Sequence, residues 1–160
     1  MTSTLQVTTP SDREVRVTRK FNAPAPLVFD AHTKPELVKR WLLGPPGWSM
    51  PVCEIDLTVG GRYRYVWHND ADGQEFGVQG QFLEISSPER IVNVETMDGM
   101  PGETTITTTF EDNGGETIFT LNMLFDSQQS RDAALQTGMT DGMGMSYDRL
   151  QDLIDKEQVP

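Results

Sequence analysis

Along residues 14–21 the apolar side chains Val15, Val17 and Phe21 share one side at period two, the pattern of a half-buried strand. Asn22-Ala23-Pro24-Ala25-Pro26 ends that run. A proline near a first turn suits a short helix, and Leu27, Val28 and Ala31 give it an apolar stripe. A second short helix is expected from about Pro35 through Leu42, stopped by Gly44-Pro45-Pro46-Gly47, which cannot continue one. Over residues 49–125 the period becomes that of strands, expected at 52–57, 62–68, 75–85, 90–96, 104–111 and 117–125. Turn chemistry separates them: Gly60-Gly61, Asp70-Ala71-Asp72-Gly73, Ser86-Ser87-Pro88-Glu89 and Asp112-Asn113-Gly114-Gly115. Each connection is too short for a helical crossover, so neighbours run antiparallel. Gly77 and Gly80, inside one strand, mark bulges or close backbone contacts.

Residues 127–158 return to helical spacing, with Met139, Met143, Tyr147, Leu150 and Ile154 on one face. From Gly138 onward such a helix spans ~30 Å at 1.5 Å per residue, longer than the ~25 Å of a typical strand here. The expected architecture is α+β: a curved antiparallel sheet of about six or seven strands wrapped around a long C-terminal helix, with two short helices after the first strand. Residues 1–12, polar and rich in Thr, read as a flexible lead, and residues 13–158 as one domain. Gly138, Gly142 and Gly144 leave two readings open. They form a flexible or closely packed helical segment, or they mark a break between two helices.

Charge narrows the partners. Thirteen Lys and Arg against 24 Asp and Glu leave 160 residues with a net charge of −11. Such a surface repels phosphate backbones and anionic lipid, so neither nucleic acid nor a membrane is an expected partner. No apolar run approaches the ~20 residues that span a bilayer, and the first residues lack a signal-peptide pattern. Cys53 is alone, which excludes an intrachain disulfide and favours a cytoplasmic setting.

The strongest chemical signal is aromatic and Met-rich. Tyr63, Tyr65 and Trp67 share one strand face, with Arg62, Arg64 and His68 opposite. Phe119, Leu121, Met123 and Phe125 form a second face, which Met139, Met143 and Tyr147 oppose from the helix. These side chains, with Trp41, Phe82, Phe110 and Leu150, either line a ligand cavity or fill the core. His32, His68 and Cys53 share no metal-ligand spacing, so no metal is expected, and no cofactor motif is present. Cys53 reads as a small core side chain. Asp70-Ala71-Asp72-Gly73 reads as a turn, since a calcium loop would need a terminal Glu where Gln79 stands. Acid–base chemistry would need a carboxylate or tyrosine facing the cavity; Glu54, Asp56 and Glu95 are equally available to pair with the arginines.

Several segments resemble a known superfamily. Phe21-Asn22-Ala23-Pro24 through Trp41-Leu42-Leu43-Gly44-Pro45 is similar to the opening of the SRPBCC, or START-related helix-grip, proteins. Asp56-Leu57-Thr58-Val59-Gly60-Gly61-Arg62-Tyr63, Asp72-Gly73 and Gly80-Gln81-Phe82-Leu83-Glu84-Ile85-Ser86-Ser87-Pro88-Glu89-Arg90-Ile91 continue it, so that it covers residues 13–154. More narrowly, the chain resembles the group of activator of heat-shock protein 90 ATPase homologues. It departs from that pattern at Leu42, where a second Trp commonly follows the first, and at Gly142-Met143, where Gly-Trp is frequent. The resemblance implies a cavity between sheet and terminal helix. It leaves function open, because the superfamily holds lipid and hormone binders, polyketide aromatases, antibiotic-resistance proteins and chaperone regulators. The expected function is binding of a small apolar or aromatic molecule without intrinsic catalysis. Two further readings are a chaperone-interaction or self-associating module in a stress response, and a cavity-based cyclase or hydrolase.

Overall fold

An uninterrupted register of eight residue pairs joins the two ends of the sequence. Val15, Val17, Arg19 and Phe21 sit opposite Met123, Leu121, Phe119 and Thr117. This computed structural model describes residues 4–156. Strand β1 (Gln6–Thr8) and β2 (Glu14–Phe21) precede helices α1 (Ala25–Thr33) and α2 (Pro35–Trp41). Six strands follow: β3 (Trp48–Ile55), β4 (Arg62–Asn69), β5 (Glu75–Ser86), β6 (Arg90–Met97), β7 (Thr104–Asn113) and β8 (Glu116–Leu124). Helices α3 (Gln128–Gln136) and α4 (Met139–Asp155) complete the described chain. All strands join one antiparallel sheet in the order β1-β2-β8-β7-β6-β5-β4-β3.

The architecture is thus α+β with the terminal helix laid against a curved antiparallel sheet, and the sheet has eight strands rather than six or seven. The added strand is β1. Part of the segment expected to be a flexible lead instead pairs with β2, Val7 opposite Val17, although its three side chains are exposed. Strand β3 begins at Trp48, earlier than expected, and a register shift between Ser49 and Val52 absorbs Pro51, which cannot donate to a ladder. Of the expected domain end, residues 157 and 158 lie outside the described part.

The C-terminal region divides. Ser127 caps α3, its hydroxyl accepting from the Ser130 N–H at 3.0 Å. Gly138 then adopts φ +79°, a left-handed conformation that interrupts the helix before α4. The break between two helices is therefore real, while Gly142 and Gly144 remain helical.

Helix α4 is held by side chains rather than by close backbone packing on the sheet, and its nearest helical neighbour is α2. Arg149 donates to the carbonyls of Trp41 at 2.9 Å and Gly44 at 3.0 Å, and the Gly44 N–H donates to the Ser146 hydroxyl at 2.8 Å. Arg19, whose side chain is wholly buried on β2, donates to Asp148 at 2.6 Å. Two apolar clusters fill the interior. The larger joins Val17, Phe21, Phe29, Trp41, Phe110, Phe119, Tyr147 and Leu150; the smaller joins Val15, Met123 and Phe125 under Leu135, Met139 and Met143.

Candidate functional site

Strand register decides which residues look inward. One row crosses the sheet through Ile55, Tyr63, Gly80, Glu95 and Thr104. The next runs through Phe82, Asn93, Ile106, Met123 and Val15. In the first row only Gly80 separates Tyr63 from Glu95, and it has no side chain. A Cβ there would collide with the Tyr63 ring, which lies across β5 in the room the glycine leaves. The phenol thereby reaches a carboxylate two strands away. Tyr63 Oη donates to Glu95 Oε1 at 2.8 Å and accepts from Asn93 Nδ2 at 2.7 Å. Replacing Gly80 with alanine is expected to displace that ring at a cost of about 1–3 kcal/mol, the usual penalty for overpacking. Comparing urea midpoints of G80A with the parent checks this.

Burial along the inner face is uneven. Towards α1 the space is filled: Phe21, Phe119 and Leu150 have no accessible surface, and Trp41 and Phe110 have 1 %. His32 lies among the rings of Trp41, Phe110, Phe119 and Tyr147. Towards the β4–β6 side the same face is only half-buried, at Tyr65, Trp67, Glu95, Ile106, Leu121, Met139 and Met143. Trp67 donates from Nε1 to the Leu42 carbonyl at 2.7 Å, tying the loop after α2 to this rim.

Three polar atoms here have no hydrogen-bond partner among the described residues: Glu95 Oε2, Tyr65 Oη and Tyr147 Oη. Among the described residues the sealed side-chain nitrogens and oxygens without a partner are Arg19 Nε and NH2 and His32 Nε2. The other three atoms therefore remain open to a solvent-sized contact. They are neighbours electrostatically, since Tyr65 responds to Cys53, Glu95 and Tyr147.

Depth shapes their acidity. Burial raises Glu95 from its ordinary 4.5 to about 7, although the Tyr63 hydroxyl opposes the shift. Burial pushes Tyr65 and Tyr147 upward, and it does the same to Tyr63, where the Glu95 charge adds to it. All three phenols stay protonated near neutrality and act as donors. Cys53 is pushed up to about 11 by burial, so its thiol is not a ready nucleophile. His32 is lowered to about 4 by burial, its Nδ1 lying 2.8 Å from the Val28 carbonyl.

The thirteen residues singled out from sequence divide accordingly. Tyr65, Trp67, Leu121, Met139 and Met143 keep accessible surface, and Tyr63, Phe82, Met123 and Tyr147 lie just beneath them. Trp41, Phe110, Phe119 and Leu150 are core, and the Trp41 Nε1 is already satisfied by the Ala31 carbonyl at 2.9 Å. Glu95 and Asn93 were not singled out as site residues. Arg64 forms a two-bond pair with Asp98 on the outer face, passing across Gly77, and so leaves Glu95 without an arginine partner. One recess of about 180 Å³ is lined by Glu54, Arg62, Tyr63, Arg64, Gln79 and Gly80, and a shallow one of about 510 Å³ lies along α3. Among the described residues no cluster of His, Cys, Asp or Glu is placed to hold a metal ion, and no helix is long and apolar enough to cross a membrane.

Comparison with known proteins agrees with this architecture. A protein from Rhodobacter sphaeroides is 26% identical and superimposes with a TM-score of 0.90, over 96% of this chain and 99% of its own. One from Staphylococcus epidermidis is 26% identical, with a TM-score of 0.78 over 95% of this chain and 94% of that one. An AHSA1-like protein from Aeromonas hydrophila, 21% identical over 86% of this chain and 92% of its own, shares the fold at a TM-score of 0.68. No curated protein matches. The sequence model of the activator of Hsp90 ATPase homolog 1-like proteins matches residues 22–155, and the chain belongs to that family.

Proposed function

We propose that the accessible end of the helix–sheet interface is a cleft for a small, largely apolar or aromatic molecule, bound without covalent chemistry. The observation that supports this reading is the burial gradient. One end of a single sheet face is packed to exclusion, while the other keeps accessible aromatic, aliphatic and Met side chains around three unpartnered polar atoms. Aromatic rings supply contact area, Met139 and Met143 adapt to the shape of a guest, and the tyrosines orient it. Among the described residues no nucleophile–base pair stands in the cleft, which weighs against hydrolysis. A cytosolic setting, which the lone Cys53 accommodates, belongs to the same reading.

Native mass spectrometry of freshly purified protein is expected to show a retained small molecule or, after its removal, saturable binding of 2-naphthylmethanol with quenching of tryptophan fluorescence. Leu121→Trp, which fills the open part of the interface, is expected to weaken that binding by about tenfold or more, as loss of ~1.4 kcal/mol would. Absence of both retained mass and saturable binding would overturn the proposal.

Family membership favours a second reading, chaperone regulation. Exposed apolar residues at Phe76, Leu83, Met97 and Met100 offer surface for a protein partner or for self-association. A pull-down with heat-shock protein 90, scored together with its ATPase rate, separates this role from ligand binding.

A further inference from the structure

Glu95 is the carboxylate that the register turns toward this face. Its carboxylate is deeply set, one oxygen is held by Tyr63, and the other has no partner among the described residues yet remains open to contact. The titratable groups around it are Tyr63 and Tyr65 from β4, with Cys53 of β3 and Tyr147 of α4 reached through Tyr65. Strand β5 contributes Gly80 and Phe82, which carry no charge. Among the described residues no cation acts on the carboxylate, and Lys39 of α2 acts on Cys53 instead. Arg64 is committed to Asp98 on the other side of the sheet, and Arg19 to Asp148. A carboxylate in an apolar recess is costly to ionise until an opposite charge arrives.

Resting on the cleft reading above, we infer that the guest is an amine, its ammonium meeting Glu95 Oε2 and its apolar body lying against Tyr65, Trp67 and Met143. Three independent features converge on that charge. The carboxylate has an unmet acceptor, so an N–H donor completes its hydrogen bonding. The neighbouring aromatic faces attract a cation through their quadrupoles. The chain carries −11 overall, which draws cations in and turns anions away. The fixed Asn93–Tyr63–Glu95 chain means the acceptor is oriented before the ligand binds, so little ordering entropy is lost at that atom.

Three probes with the same ring and different charge test the inference: 2-naphthylmethylamine, 2-naphthylmethanol and 2-naphthoate, titrated calorimetrically at pH 8. The amine is expected to bind about tenfold or more tightly than the alcohol, and the acid more weakly than either. In E95Q, an isosteric change, the amine-to-alcohol ratio is expected to fall to about one. In the parent protein, lowering the pH from 8 to 5 protonates Glu95 and is expected to weaken the amine by about tenfold or more while leaving the alcohol unchanged. If E95Q does not fold, that pH profile decides alone. Binding of the alcohol with no preference for the amine, or a preference that survives E95Q or acid, overturns the ammonium assignment and leaves the cleft reading standing. Failure of all three probes to bind overturns both.

Discussion

Asp148→Ala is expected to lower stability by about 2–3 kcal/mol. The reason lies in its partner. Arg19 is wholly buried, its Nε and one NH2 already lack acceptors, and Asp148 supplies the bond to its NH1 at 2.6 Å. Removing one member of a buried pair generally costs ~3–5 kcal/mol because a charge is left uncompensated. Here Asp148 is 68% exposed, so water replaces part of what is lost, and alanine returns ~0.5 kcal/mol of helix propensity. For a chain of this size the net loss corresponds to a fall in melting temperature of roughly 5–10 °C. The opposite partner behaves differently. Arg19→Met removes the buried charge and keeps much of the volume, so its stability should fall within about 1 kcal/mol of the parent or exceed it. Adding Asp148→Ala to Arg19→Met should then cost little. Urea unfolding of the four proteins measures the coupling; a harmless Asp148→Ala in the parent background would show that solvent alone satisfies Arg19.

The second large effect is hidden until one residue is changed. Glu95 has its folded value raised from 4.5 to about 7, so between those values the folded state holds a proton that the unfolded state has released. Stability from this group is therefore greatest at low pH and declines as pH rises from about 4.5 through 7, by up to about 3 kcal/mol. His32 does the reverse. Its folded value is lowered from 6.5 to about 4, so its contribution is full above 6.5 and is lost as pH falls through 4, by a similar ~3 kcal/mol. Between about 4.5 and 6.5 the two slopes cancel, and the parent should show a plateau with respect to this pair. Glu95→Gln removes one slope. The variant is expected to gain up to about 3 kcal/mol over the parent at pH 8, to lose that advantage by pH 4, and to destabilise steadily on acidification from 6.5 to 4. Chemical denaturation at several pH values reads all three features. A difference between variant and parent that does not change with pH would refute the buried titration.

How much of this was readable beforehand varies by element. Strand β2 and the succession β4 to β8 were legible because alternation and turn residues coincide there. Strand β1 was not, because all three side chains face solvent and only backbone pairing with β2 places it. The division of the terminal helical region was left open by three glycines of equal appearance. Only one of them, Gly138, takes a positive φ. Among the site residues, periodicity correctly grouped Tyr63, Tyr65 and Trp67, but it could not tell a wall from what stands behind it. Trp41 and Phe119 carry the same apolar signature as Trp67 and Leu121, and only packing against α1 separates them. Glu95 was one of three acidic residues available to the arginines. Its contact with Tyr63 depends on register across β5, and the clue in the chain was Gly80, whose missing side chain lets a tyrosine span two strands.

The anchoring of α4 is lopsided, and this bears on how the proposed guest would enter. From Ser146 onward the helix is stitched down through Ser146, Asp148, Arg149 and the Gln151 side-chain Oε1, which accepts from the Asn22 N–H. Its first two turns, residues 139–145, contain Gly142 and Gly144 and make no side-chain hydrogen bond among the described residues. Those turns stand over the accessible end of the sheet. In the ligand reading proposed above, admission would ask that this end, held by apolar packing of Met139 and Met143 on the Val15, Met123 and Phe125 cluster, swing outward about its fastened half, leaving the core beneath Trp41 and Leu150 undisturbed.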